Sequence, residues 1–361
     1  MNTEERNKEG ILVEDAKSAK KLTRDMLAEL EQKEKTPAQR VFDFFISISP
    51  MLAAALAAAE YLLVPTLDRF VSSHVNPERY LILLAAPAAA YFVFWLRSLV
   101  KYQSGQKKYY WTIVHKAPLY SVVFLALMAL DLLTLKSGKL LYPFIPWVND
   151  IINAAISDWP NLLKSCFFSL KLLFSGYFLG VAAGLLTGIA CGYSERVNYW
   201  INPIVKVLGP IPTATWVPLI MIIFPSLAGG AVFIIALGAW FAVTLASRTG
   251  IQNIDRSLFD AAKILGAKER QLVFRVAIPS AMPNILQGMT QGMSSACVSL
   301  MVAEMLGVEA GLGWYITWAK SWALYNRMFA AIVALCIIFN VVTNTLNAVK
   351  KHALRWQNGV K

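Results

Sequence analysis

The stretch IQNIDRSLFDAAKILGAKERQLVFRVAIPSAMP, residues 251–283, is a polar and basic island inside an otherwise apolar chain. Ser257, followed three residues later by Asp260, predicts a capping box at the start of a helix. The apolar residues that then recur at helical spacing are Leu258, Ala261, Ala262 and Leu265. Gly266 suits the left-handed position that ends a helix. The island therefore begins with a short amphipathic helix.

A second amphipathic helix is predicted from Lys268 to Val276. It should stop at Ile278-Pro279, because proline cannot continue the backbone hydrogen bonds of a helix. Two short helices joined at a glycine, with a hydrophobic span on either side, predict an element that docks a partner at a membrane surface. The alternative is an ordinary loop between two spans.

The composition is that of a polytopic membrane protein. Of the 361 residues, 57% are hydrophobic and only 16% are charged, whereas a soluble domain carries about 25% charged residues. Several apolar runs reach the roughly 20 residues that cross a bilayer as a helix. We therefore expect an all-α bundle in contact with membrane lipid. The net charge of +12 lies mainly in loops, so it indicates membrane orientation and no nucleic-acid partner.

About eight transmembrane helices are expected. They cover residues 43–64, 80–100, 117–135, 166–192, 203–224, 228–249, 284–306 and 328–349. The segment 141–164 mixes tryptophans with polar residues, which is typical of an amphipathic stretch at the interface. Lys and Arg are more frequent in the loops on the side of the N-terminal segment. The positive-inside rule therefore places both termini in the cytoplasm.

The fourth span has a glycine at every fourth position. These glycines are Gly176, Gly180, Gly184, Gly188 and Gly192. In a bilayer, this spacing makes a flat stripe to which the backbone of another helix can come close. The stripe predicts tight helix packing, and a part in gating is the alternative.

Prolines interrupt the fifth span, where Pro212 and Pro218 flank Trp216 in the segment IPTATWVP. Broken helix at membrane depth is tolerated where it is buried in protein or lines a cavity. These three residues are therefore candidates for the wall of a translocation pathway, with an ordinary kinked helix as the alternative. Trp240 in the sixth span is a further candidate, for which packing is the alternative.

Acidic residues inside a membrane span are functional candidates. Glu304, near the outer end of the seventh span, is expected either to shape a gate through a helix or backbone contact or to touch the transported solute. Glu60 and Asp131 lie near span ends and are expected to reach water, and His74 is expected to be solvated. The cysteine spacing supports neither a metal site nor a disulfide.

The sequence DAAKILG at 260–266, closed by Ile278-Pro279, resembles the EAA loop of binding-protein-dependent ABC transporter permeases of the MetI-like superfamily. Other motifs resemble the nitrate, sulfonate, taurine and bicarbonate subgroup. They are PIPTATWVPLI at 210–220, AEMLG at 303–307 and GLGW at 311–314. The resemblance covers roughly residues 117–356, and the first 100 residues lie outside it.

The resemblance implies a permease domain at 106–361 that contains a cytoplasmic coupling loop at 250–283. An extra transmembrane hairpin at 41–105 and a charged cytoplasmic segment at 1–40 precede this domain. The residues implied to couple the permease to an ATPase are Asp260, Ala261, Ala262, Lys263, Gly266, Ile278 and Pro279.

The resemblance also implies the partners and the setting. They are a second copy of the permease, a dimer of ATPase subunits, an extracytoplasmic solute-binding protein and a bacterial plasma membrane. The chain has no GxxxxGK[ST] motif, so we predict a transport subunit that is not an enzyme and holds no cofactor. ATP is then bound by the partner subunit.

Two other functions fit the same spans. One is a self-sufficient channel or secondary transporter, and the other is a membrane scaffold whose charged N-terminal segment recruits a partner. The subgroup implies nitrate, a sulfonate, taurine or a similar small solute. Within the family, the alternative is an unrelated small molecule such as a pyrimidine precursor.

Overall fold

The computed structural model describes residues 37–71, 74–103 and 107–355. Every regular element in these ranges is helical, as predicted. The predicted charged segment at 1–40 lies outside the described residues, apart from its last four.

The described α-helices are α1 (Pro37–Leu63), α2 (Asp68–Val71), α3 (Glu78–Gln103), α4 (Lys107–Asp131), α5 (Val148–Ser157), α6 (Trp159–Tyr193), α7 (Glu195–Leu208), α8 (Val217–Ile223), α9 (Leu227–Gln252), α10 (Arg256–Ile264), α11 (Glu269–Gln271), α12 (Ile278–Leu306), α13 (Leu312–Ser321) and α14 (Tyr325–Ala353). π-Helical turns follow α4 at Leu132–Lys136 and precede α12 at Leu272–Ala277. A 3-10 turn at Thr213–Trp216 precedes α8.

The chain divides into two compact units. The first comprises Met1–Tyr142 with Trp147–Asp150, and the second comprises Pro143–Pro146 with Ile151–Lys361. Helix α4, which the predicted permease domain at 106–361 would include, therefore belongs to the first unit. Where the functional domain begins stays a prediction.

In the first unit, α1 packs along α4 and α3. The buried face of α1 includes Ala54 and Ala57, and such small side chains let neighbouring helices come close. The aromatic side chains that close this core at one end are Tyr61, Phe70, Tyr80 and Trp147.

Three polar residues at this end of the first unit differ from their predicted environment. Asp131 is fully buried, and both carboxylate oxygens of Glu60 are buried as well. His74 is half-buried, with Nε2 2.6 Å from the hydroxyl of Tyr61. The prediction that Glu60 and Asp131 reach water was wrong, because their carboxylate oxygens are buried. His74 keeps part of its surface exposed.

In the second unit, α9 packs against both α6 and α12. The glycine stripe of α6 faces α9: a Cβ at Gly188 would lie 2.7 Å from the carbonyl oxygen of Thr244. Large side chains then fill the space beside the stripe, with Leu173, Ile235 and Leu300 fully buried. The two helix backbones can approach this closely because the stripe carries no side chains.

Replacing Gly184 by leucine is expected to destabilise the second unit by about 3 kcal/mol, because overpacking a close helix contact forces the backbones apart. Even a Cβ at this position would lie 2.8 Å from Cβ of Val243 and 3.0 Å from the carbonyl oxygen of Trp240. Thermal unfolding of the purified protein in detergent micelles measures the effect. Ala182→Leu, at an exposed position of the same helix, is the control, and an equal loss in both variants would contradict the packing account.

Six of the described helices are long and apolar enough to cross a membrane, or seven if the bent pair α7 and α8 forms one span. About eight were predicted, and the remaining predicted span is α12. This helix has 29 residues, long enough to span. It is less apolar than the others because its sequence contains Asn284, Gln287, Gln291 and Ser294. The number of spans and their orientation stay predictions.

The predicted fifth span at 203–224 is not one continuous helix. Helix α7 ends at Leu208, and the chain resumes at Thr213 in a direction bent by 88°. Pro210 and Pro212 lie in the break. They explain it, because proline lacks an N–H and disfavours helical backbone in the residue before it.

Candidate functional site

Helix α10 begins the polar island, but its cap differs from the predicted one. The carboxylate of Asp255 accepts a hydrogen bond of 3.0 Å from the backbone N–H of Ser257. Asp255 is therefore the N-cap, and Ser257 lies inside the helix. The same hydrogen bond lowers the pKa of Asp255 below its usual value. Aspartate and serine cap helices about equally well, so the spacing alone could not separate the two.

The end of α10 is the one predicted. Gly266 adopts φ +79°. The N–H of Ala267 donates to the carbonyl of Ala262 at 3.0 Å, and the N–H of Gly266 donates to the carbonyl of Lys263 at 2.9 Å. This pair of bonds is a Schellman motif, which satisfies the last carbonyls of the helix and turns the chain sharply.

The predicted second helix at 268–276 was wrong in its extent. Only Glu269–Gln271 is α-helical, and the π-helical turn then leads directly into α12. The chain therefore does not stop at Ile278-Pro279. Pro279 lies in the first turn of α12, where a missing N–H costs little because the preceding π turn has already shifted the hydrogen-bond pattern.

One side of α10 is anchored to the second unit. Phe259 and Ile254 pack against the apolar cluster of Ile251, Ala277, Ala281 and Ile285. The hydroxyl of Tyr193, at the end of α6, donates a hydrogen bond to the carboxylate of Glu269. The island is thus held by contacts with the ends of α6, α9 and α12.

The opposite side of α10 is exposed and partly apolar. At 100° per residue, it carries the following residues, defined here as the docking face: Leu258, Ala261, Ile264 and Leu265. The side chains of Ile264 and Leu265 are 86% and 87% exposed. A contiguous apolar face on a polar loop is typical of a protein contact. Asp260 and Lys263 are also exposed and flank this face.

The bent segment lies against α12. The hydroxyl of Thr213 is 2.7 Å from that of Ser299, so the 3-10 turn is tied to the middle of the unit. Pro212 and Pro218 are exposed and Trp216 is half-buried. Trp240 is bonded elsewhere, since its indole N–H donates to Thr187 of α6 at 3.1 Å.

A polar stripe runs along an exposed side of α12. It consists of Asn284, Gln287, Gln291 and Ser294, all exposed and spaced by three or four residues. Polar side chains on a membrane helix face protein or water rather than lipid. The stripe was not predicted from the sequence, although its helical spacing within an apolar run was a readable signal.

Glu304 is buried, with 1% of its surface exposed. Its Oε1 accepts a hydrogen bond of 2.7 Å from Ser169, and its Oε2 accepts one of 2.8 Å from the N–H of Gly313. Ser169 also accepts a hydrogen bond of 2.8 Å from the N–H of Leu312. The carboxylate therefore fixes the start of α13 to α6 and α12. This is the backbone contact of the two predicted alternatives, and its part in transport stays a prediction.

A cavity of about 560 Å³ lies beside this loop, lined among others by Lys164, Glu309, Trp314 and Trp318. Asp158 supports its wall from the start of α6. It accepts hydrogen bonds from Tyr315 and from Asn161 (2.6 Å), and Arg327 lies 3.5 Å from it. Asp158 and Tyr315 are 157 residues apart, so no local signal in the sequence could have paired them.

These features define a helical membrane protein with an exposed amphipathic helix between two long helices and a polar stripe on one of them. The family described as binding-protein-dependent transport system inner membrane component matches residues 180–355. Over these residues the chain is similar to that family. The match confirms the resemblance read from the EAA-like loop, although it begins later than the expected residue 117.

Curated relatives are similar over part of the chain. A putative ABC transporter permease of Methanocaldococcus jannaschii is 32% identical over 143 residues, which are 38% of this chain and 54% of that protein. A putative aliphatic sulfonates transport permease, SsuC of Bacillus subtilis, is 31% identical over 183 residues, 51% of this chain and 66% of that protein.

The nitrate import permease NrtB of Synechococcus elongatus is 27% identical over 146 residues, 36% of this chain and 52% of that protein. The chain thus spans between about half and two thirds of the length of these relatives.

Proposed function

We propose that the chain is the permease subunit of an ABC importer in a bacterial plasma membrane, driven through α10 by a separate ATPase. The docking face carries this proposal. It places two almost fully exposed apolar side chains, Ile264 and Leu265, beside the small exposed residue Ala261. Such a face fits a groove on a partner, and the adjacent Asp260 and Lys263 can form ion pairs at its rim.

The expected assembly contains two copies of the permease, two ATPase subunits that bind ATP, and an external solute-binding protein. No step of ATP chemistry is assigned to this chain. Movement of the ATPase pair is transmitted to α10, which is anchored through Phe259 and Ile254 to the ends of α9 and α12. A shift of α10 therefore acts directly on the helices that build the second unit.

Crosslinking tests the docking face. With a cysteine at Leu265, the chain is expected to form a disulfide-linked product with an ATPase subunit that carries engineered groove cysteines. A cysteine at Arg256, on the opposite side of the same helix, is the matched control and should give little product. Equal crosslinking from both positions would argue against a specific face, and solute flux from the purified chain without any ATPase would favour a self-sufficient transporter.

The polar stripe of α12 supports a water-filled pathway next to this helix. Its four side chains are exposed although the helix is long enough to span the membrane. The amide oxygen of Gln287 accepts a hydrogen bond from Lys350, and the other exposed amides on a membrane helix are satisfied where they face water or a second subunit. We assign the stripe to the pathway, together with the bent segment that Thr213 ties to α12.

Replacing Gln291 by leucine is expected to lower ATP-driven uptake at least about tenfold, the effect of losing about 1.4 kcal/mol of interaction with a polar solute or its water. The amount of protein in the membrane should not change, because Gln291 is exposed. Uptake of radiolabelled solute into cells or proteoliposomes measures the effect. Gln291→Asn keeps the amide and should retain most of the uptake; full activity of the leucine variant would remove the stripe from the pathway.

For the solute, we propose a small oxyanion or sulfonate, as the names of the relatives suggest. A competition assay on uptake, with nitrate, an alkanesulfonate, taurine and a pyrimidine precursor as competitors, would decide. Inhibition by the first three and not by the last is the expected result. Inhibition by the pyrimidine precursor alone would assign the chain to a different solute within the same family.

A further inference from the structure

Three helix ends of the first unit bring together polar groups that the transport function does not use. Glu60 lies in the last turn of α1, Tyr80 in the first turn of α3, and Asp131 is the last residue of α4. Tyr80 and Asp131 are fully buried. Among the described residues, neither carboxyl group nor the hydroxyl of Tyr80 has a hydrogen-bond partner.

Unpartnered groups of this kind are costly in an apolar core. Burying a hydroxyl without a partner costs a few kcal/mol, and burying a bare carboxylate costs more. Both carboxyl groups interact electrostatically with each other and with Tyr80. Five oxygen atoms at this end of the unit therefore lack a hydrogen-bond partner, and a bound cation would supply a counterpart to the carboxyl groups when they are ionised.

The cationic group closest in sequence to Asp131 is already engaged. The ammonium group of Lys136 donates to the backbone carbonyls of Tyr61 at 2.9 Å and Val64 at 2.6 Å. It acts on Glu60 and Asp131 only through space. A π-helical turn separates Asp131 from Lys136, and turns of this kind are frequent at functional sites.

Two further titratable groups near this end add no charge inside the cluster. Burial, with a contribution from Lys136, holds the pKa of His74 below its usual value, so this imidazole is neutral at pH 7. Glu78 is exposed to solvent. When both carboxyl groups are ionised, they and the ammonium group of Lys136 leave one negative charge, which one monovalent cation neutralises and a divalent cation would exceed.

We propose that Glu60, Tyr80 and Asp131 form a binding site for one Na⁺ ion. The donors are carboxylate and phenol oxygens, the ligand type that hard cations prefer. A bound ion would connect the ends of α1, α3 and α4. The site lies in the first unit, outside residues 180–355 that match the family, and it does not depend on coupling to an ATPase.

Thermal unfolding of the purified full chain in detergent micelles tests the site. Sodium chloride is titrated against choline chloride at constant ionic strength and neutral pH. We expect a saturable rise of the melting temperature by about 3 °C. Asp131→Asn should abolish the rise. Glu78→Gln, an exposed acid at the same end of the unit, is the matched control and should keep it.

Tyr80→Phe provides a second variant that removes one oxygen and keeps the aromatic core. It should shift the Na⁺ dependence to roughly tenfold higher concentration, the effect of losing about 1.4 kcal/mol of binding. Four results would overturn the proposal. The first two are a melting temperature that rises equally in choline chloride, and one that rises with Ca²⁺ but not with Na⁺. The other two are a melting temperature that depends on pH but not on Na⁺, and an effect of Na⁺ that is unchanged in both variants.

Discussion

Replacing Ala261 by arginine is expected to abolish ATP-driven uptake, with a loss of at least about 30-fold. Ala261 is exposed at the centre of the docking face, so the longer side chain fits the isolated subunit without a clash. In an assembly it would hold the partner away from Ile264 and Leu265, and a central contact of this kind is worth about 2 kcal/mol or more. Uptake in proteoliposomes containing the whole transporter measures the effect.

Two further measurements separate a failure of coupling from a failure of folding. The amount of the Ala261→Arg subunit in the membrane and its melting temperature should match those of the wild type. Arg256→Ala changes an exposed residue on the other side of the same helix and should transport normally. Normal uptake by Ala261→Arg would mean that α10 does not receive work from an ATPase.

Local signals in the sequence were sufficient for the elements that depend on local physics. The helical spacing of Leu258, Ala261 and Leu265 placed α10 within two residues of its observed bounds. Gly266 was placed correctly in the left-handed region because only the end of a helix requires it there. The exposure of Ile264 was not predicted, since exposure depends on the elements around a residue.

The misplaced features depend on contacts between distant residues. Glu304 could be recognised as a buried acid, but its partners Ser169 and Gly313 lie on other helices. Asp131 was expected to reach water because it is close to a span end. It is fully buried in a unit whose core includes aromatic side chains of other elements, such as Trp147, and hydrophobic periodicity carries no information about them.

In the proline-containing segments, too, a local feature could be predicted from the sequence, whereas its geometry and its contacts with distant residues could not. The prolines of the fifth span predicted a broken helix, and the break lies at Pro210 and Pro212. The bend of 88° and the bond between Thr213 and Ser299 could not be read from the prolines. Pro279 was expected to end a helix, whereas a π-helical turn before it allows the helix to continue.

Replacing Gly311 by alanine is expected to destabilise the second unit by about 3 kcal/mol or more. Two effects add. Gly311 has φ +100°, which costs an L-residue about 1 kcal/mol or more. In addition, a Cβ at Gly311 would overlap the carboxylate of Glu304, which cannot move without losing its bonds to Ser169 and Gly313. The melting temperature of the purified subunit in detergent micelles measures the loss.

Gly266→Ala is the matched control, because Gly266 also has a positive φ of +79° but nothing lies within 4 Å of a Cβ there. Gly266→Ala should lower the free energy of unfolding only through the strain of an L-residue at positive φ, by about 1 kcal/mol. The part of the loss that comes from the overlap with Glu304 can be isolated by combining Gly311→Ala with Glu304→Ala, which removes the overlapping carboxylate. The double variant should then lose less stability than the sum of the single variants. Equal losses at Gly311 and Gly266, or strict additivity with Glu304→Ala, would show that the carboxylate does not hold this loop.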